Sequence, residues 1–85
     1  MNANLMNAVE MLPTLTRDSV AVGLYIISAT NPEWGIMQIA KSGDTLTYKS
    51  GRGEAVLFDG DFKFWKVVGN FAKAFAFAKS MKIGF

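Results

Sequence analysis

The chain contains no histidine and no cysteine. This removes the commonest general base, the usual metal ligand and the thiolate nucleophile. Its acids are scattered, no two of them spaced to set both carboxylates together on one element, and there is no phosphate-loop or dinucleotide glycine pattern. The residues left for chemistry are cations beside aromatic rings. Lys41, Lys49 and Arg52 lie at or next to two glycine-containing turns, and Tyr25, Trp34 and Tyr48 lie in segments rich in β-formers. Cations neutralise phosphates, and flat rings stack on unpaired bases at ~1–3 kcal/mol each, so the combination fits single-stranded nucleic acid. The same rings also fit a core between sheet and helix, with the charges solvating its edges, and composition alone favours that reading. Gly51 and Gly53 of SGRGE suit the backbone of a hairpin turn better than a phosphate cradle. Together these residues argue against an enzyme and imply no metal, no cofactor and no small-molecule substrate.

Charge is distributed unevenly. The net charge of +2 singles out no polyanionic partner, but residues 1–44 carry −2 and residues 45–85 carry +4, so the basic surface belongs to the C-terminal half. The lack of cysteine fits a reducing compartment, the cytoplasm or, for a viral protein, the host cytoplasm. The start MNANLMNAVEMLPTL has neither a basic leader nor a continuous apolar stretch, so no signal peptide is expected. No apolar run reaches the roughly 18 residues of a membrane span.

At 85 residues the chain is one domain. A chain this short buries only about 60–65% of its unfolded surface, which favours a core shared through homodimerisation. Residues 1–18 read as a partly ordered arm: Leu5, Met6, Val9 and Met11 are compatible with a short helical turn that Pro13 ends. The domain proper spans residues 19–85. It opens with four strands at VAVGLYIISAT, WGIMQIAK, TLTYK and EAVLF, separated by the turns Asn31-Pro32-Glu33, Ser42-Gly43-Asp44 and Ser50-Gly51-Arg52-Gly53. Connections this short make neighbouring strands antiparallel.

The segment 59–82 (DGDFKFWKVVGNFAKAFAFAKSMK) then changes period. Lys63, Lys66, Asn70, Lys73 and Ser80 recur at spacings of three and four, the polar stripe of a helix. FKFWKVV also alternates and would serve as a fifth strand, but the lysine stripe stays in phase through Lys73. A long helix with Asp59 as its N-cap and Asp61 in its first turn is therefore expected. Gly69 inside it signals either a close crossing or a break. Its apolar arc is wider than one sheet requires, which assigns Phe64, Val68, Phe71 and Phe75 to the contact with the sheet and with a partner helix. A solvated face is the ordinary reading of the helix lysines.

Residues 49–65, KSGRGEAVLFDGDFKFW, resemble the positive cofactor four family of transcription coactivators, in which a Lys-Pro-Gly-Arg-Lys-Gly hairpin leads to the last strand and an Asn-Pro-Glu cap opens a long helix. Lys49, Gly51 and Arg52 match that hairpin, Gly53 lies close to its final glycine, and Asp59 and Asp61 stand where the cap and first-turn acid would be. Ser50 replaces proline, Glu54 sets an acid beside the basic hairpin, and the family's Asp-Ile-Arg strand signature is absent. The chain is at best a divergent member, bacterial or phage in its compactness. The resemblance implies an α+β fold: a four-stranded antiparallel meander and one long C-terminal helix, ββββα, paired into a homodimer through the helices.

By the same resemblance the protein binds single-stranded DNA with little sequence preference, in transcription, replication or recombination. Lys49 and Arg52 would contact phosphates, Lys41 would extend the basic track, and Tyr48, Trp34 and Tyr25 would stack on bases. The competing reading is a small protein-binding module, such as a phage-type inhibitor of a host protein.

Overall fold

The computed structural model describes residues 3–85, with side chains for all but 3–6 and 33, so the packing expected of Leu5 and Met6 lies outside the described residues. Helix α1 (Ala3–Glu10) precedes strands β1 (Tyr25–Ser28), β2 (Ile36–Ser42), β3 (Thr45–Ser50), β4 (Gly53–Val56) and β5 (Trp65–Gly69), and helix α2 (Phe71–Met81) follows them. Short 3-10 turns occupy Pro32–Trp34 and Asp59–Phe64. The strands form one antiparallel sheet in the order β4-β3-β2-β1-β5. The class is α+β with a C-terminal helix, as the sequence implies, but the sheet has five strands rather than four.

The meander follows from local chemistry. Two-residue turns close both hairpins: Ser42 pairs with Thr45 around Gly43-Asp44, and Ser50 with Gly53 around Gly51-Arg52. Gly43 sits at φ 61°, a left-handed conformation that glycine enters without steric cost.

The expected long helix is instead three elements. Residues 59–64 make a 3-10 turn, in which Asp61 accepts the Phe58 N–H at 3.1 Å, while Asp59 pairs with the Arg17 guanidinium and caps no α-helix. Residues 65–69 then lie beside β1, with Trp65 opposite Ser28 and Val67 opposite Ile26. Burial decides against the lysine stripe: Trp65 and Val68 are both removed from solvent, which a strand between two packed layers achieves at WKVV. Gly69, at φ 116°, is the break. Asn70 is the N-cap of α2, its side chain accepting the Lys73 N–H at 2.9 Å.

Both faces of the sheet are covered, and adjacent residues of β1 serve opposite layers. Ile27 packs with Val9, Ile36, Val68, Ala74 and Ala78 beneath the two helices. Ile26 packs on the other side with Leu15, Ile39, Leu57, Phe62 and Trp65 beneath the connecting segments. Residues 1–18, expected to be a partly ordered arm, contribute Val9 and Leu15 to the core, 0% and 2% exposed. The main chain of this segment also borders β5. Leu15 N–H donates to the Trp65 carbonyl at 2.9 Å, and Val67 N–H to the Pro13 carbonyl at 2.7 Å.

The C-terminal tail is fixed in a similar way. Ile36 N–H donates to the Gly84 carbonyl at 2.7 Å, and a Cβ on Gly35 would stand only 2.7 Å from that oxygen. Gly35 also holds φ at 91°. Among the described residues no helix is long and apolar enough to cross a membrane.

Two substitutions test this account. Ile26→Ala should cost ~2–5 kcal/mol in urea denaturation, the range for truncating a fully packed core side chain. Gly35→Ala should cost ~1–3 kcal/mol through the left-handed backbone and should also displace the tail. A Gly35→Ala protein as stable as the parent, with an unshifted Ile36 amide resonance, would contradict the docked tail.

Candidate functional site

Of the residues singled out in the sequence, Tyr25 and Lys49 border one cleft, Trp34 and Tyr48 another, and Lys41 and Arg52 neither. Tyr25, Gln38 and Lys49 are register partners across β1, β2 and β3 and therefore share the helix-bearing face of the sheet. Ile39 and Tyr48 pair on the opposite face, as do Lys41 and Leu46. Arg52 is at the exposed tip of the β3–β4 hairpin, and Trp34 ends the turn before β2. Lys63, Lys66 and Lys73 fall on a 3-10 turn, a strand and a helix, so they form no single stripe. Lys66 Nζ donates to Thr14 Oγ1 at 3.1 Å.

The first cleft, of about 360 Å³, is bordered by Tyr25, Gln38, Lys49, Ser50, Gly51 and Phe85. The bond from Ile36 to Gly84 brings the tail ring here. Phe85 meets Tyr25 edge-on, with centroids 5.9 Å apart and planes at 80°, and stacks with Phe71 at 5.8 Å and 17°. Phe75 completes the group, 6.1 Å from Phe71 and 6.2 Å from Phe85. These rings are substantially open to solvent: Phe71 is 61% exposed, Phe75 51% and Phe85 42%.

Phe64, Val68, Phe71 and Phe75 were expected to join the helix to the sheet and to a partner helix. Of these four, only Val68 is buried in the core; small Ala74 and Ala78 carry the buried face of α2. The break at Gly69 rephases the helix, turning Phe71 and Phe75 toward its flank. Phe85 is absent from the sequence reading because its place depends on one tertiary main-chain bond. The nearest local signal is an aromatic residue directly after Gly84.

Lys49 projects into this cleft beside Ser50. Its cross-strand neighbour is Glu54, whose carboxylate accepts the Thr47 hydroxyl. The cleft thus offers two ring surfaces, an ammonium, an amide and a hydroxyl.

The second cleft, of about 320 Å³, lies at the other end of the molecule's aromatic content: Trp34, Tyr48, Phe64 and Trp65 line it, together with Asp61, Ser28 and Thr30. Tyr48 is half-buried against Trp65, with ring centroids 4.9 Å apart, so it contributes to the core as well as to the cleft wall. Trp34 and Phe64 are 49% and 43% exposed. Trp34 and Tyr48 therefore stand beside a carboxylate and apart from Lys49. Ser28 Oγ is occupied locally, accepting the N–H groups of Thr30 at 3.2 Å and Asn31 at 3.0 Å.

Among the described residues no three of His, Cys, Asp and Glu stand together as a metal site. No protein-family model matches the chain, and no curated protein or solved structure matches it.

The exposure of the α2 rings predicts an order of stabilities. Phe71→Ser and Phe75→Ser should each change the unfolding free energy by less than about 1 kcal/mol, as exposed positions do. Val68→Ala should cost ~2 kcal/mol. Urea midpoints in the reverse order would place Phe71 and Phe75 in a buried contact.

Proposed function

We propose that the protein is a non-enzymatic, single-stranded DNA-binding protein that uses the cleft between Tyr25, Lys49 and Phe85. The observation that supports this reading is the juxtaposition of two partly open rings with an ammonium group in one groove. A base needs a ring to lie on and a phosphate needs a cation within one nucleotide's reach, and both are offered there. Gln38 and Ser50 add polar groups able to meet a base edge or a sugar. Arg52, at the hairpin tip, borders Met37 and Tyr48 on the other face and would meet a strand that continues over that tip. Lys41, on the opposite face, lies off this track. Binding of this kind tolerates sequence, since every base has a π face. The resemblance to the positive cofactor four family points the activity toward transcription, replication or recombination.

A second reading, a protein-binding module or a homodimer interface, is favoured by one feature. Phe71, Phe75 and Phe85 stack on one another, so their outward surface is more continuous and apolar than a set of separate base platforms.

Titration of single-stranded and duplex oligonucleotides of equal length separates the readings. Lys49→Ala with Arg52→Ala should weaken single-strand binding and lower the slope of log K against log[salt] by ~1.4, at ~0.7 per phosphate contact. Phe85→Ala should cost ~1–3 kcal/mol for single strands and almost nothing for duplex, whose bases are stacked already. Absence of oligonucleotide binding at low salt, combined with a dimer in sedimentation that Phe75→Ser dissociates, would replace the first reading with the second.

A further inference from the structure

The second cleft has a different chemistry from the first, and nothing in the proposed DNA-binding reading uses it. Its walls are the rings of Trp34, Tyr48, Phe64 and Trp65, and its polar rim includes the Asp61 carboxylate. Among the described residues none of those lining it is basic, though the Lys63 ammonium stands 5.1 Å from the centroid of Phe64. We propose that this cleft is an aromatic cage for a quaternary ammonium group.

Two observations carry the assignment. First, the charged group among the described lining residues is a carboxylate, Asp61. Ring faces carry the negative part of the aromatic quadrupole and attract a cation within about 6 Å of the centroid, and a carboxylate adds a full negative charge. Second, the hydroxyl closest to the buried floor is already engaged: Ser28, 1% exposed, accepts two backbone N–H groups. One oxygen of Asp61 likewise accepts the Phe58 N–H. A primary ammonium needs three acceptors to replace its water, whereas a methylated ammonium has no N–H left to satisfy and offers methyl groups that pack on rings.

The fold supports such a cage. Trp65 and Tyr48 are fixed in the core, 4.9 Å apart, and form a rigid back wall. Trp34 and Phe64 close the sides from two 3-10 turns. The volume of about 320 Å³ is at the lower end of the roughly 300–1,000 Å³ usual for ligand clefts, which suits a compact head group.

The test uses the intact protein, with choline, tetramethylammonium and Nε-trimethyllysine as probes and 3,3-dimethylbutanol as the uncharged isostere of choline. Ionic strength is held constant with sodium chloride, and the readouts are tryptophan fluorescence and the indole N–H resonances. Saturable binding is expected for the three cations, at least about ten-fold tighter than for the isostere. Trp34→Ala should lose on the order of ten-fold in affinity and Trp34→Phe should recover part of it, with circular dichroism confirming that both variants are folded. Asp61→Asn keeps an acceptor for Phe58 and should weaken the cations several-fold while leaving the isostere unchanged. Preference for choline would identify a free small molecule, and preference for trimethyllysine a modified polypeptide side chain; either supports the cage. Equal binding of cation and isostere, full affinity in folded Trp34→Ala, or no saturable response to any cation would overturn it.

Discussion

The structure depends on the burial of β1 from both sides. Ile26 and Ile27 are adjacent, and the alternation of a strand sends them to opposite layers, where each is fully inaccessible. A chain of this size cannot complete two layers with strands alone. It draws α1, α2 and the C-terminal tail to one side, and the segments before β1 and after β4 to the other. Segments that read as peripheral are thereby drawn into the core, because without them one isoleucine or the other would face water.

Both candidate sites are by-products of that arrangement. The helix-bearing layer ends where α2 and the tail stop, and its last rings, Phe71, Phe75 and Phe85, gather beside Tyr25 and stay partly open to solvent. The opposite layer ends at the two 3-10 turns, which leave Trp34 and Phe64 standing beside the core pair Tyr48 and Trp65. Each cleft therefore has a rigid wall from the sheet and a second wall from a short irregular element. The first cleft carries a lysine and the second an aspartate, so the molecule presents two aromatic surfaces of opposite electrostatic character.

Much of the sheet was legible in the sequence, for a local reason. Turns such as Ser42-Gly43-Asp44 and Ser50-Gly51-Arg52-Gly53 specify hairpins by backbone chemistry alone, and the segments between them alternate strongly enough to set β2, β3 and β4. The C-terminal half was not, because two periods overlap there. Lys63, Lys66, Asn70 and Lys73 match a helix, while Trp65, Val67 and Val68 match a strand buried on both sides, and only the presence of β1 alongside decides between them. Asn70 was counted into the polar stripe when its part is that of a cap. Of the site residues, Tyr25 and Lys49 are brought together by register and Trp34 and Tyr48 by the other face; which face each occupies follows from pairing that no single segment reveals.

The two edges of the sheet are unequal, and the difference limits how copies of this chain can join. Residues 13–15 occupy the outer edge of β5, with Thr14 bridged to Lys66, whereas β4 is exposed along its length. A sheet with two open edges can add copies head to tail without end. With one edge already taken, main-chain pairing through β4 can only be edge to like edge, an isologous contact that closes at two copies. The short N-terminal segment thus acts as a terminator of strand addition, and any growth of the sheet by this route stops at ten strands.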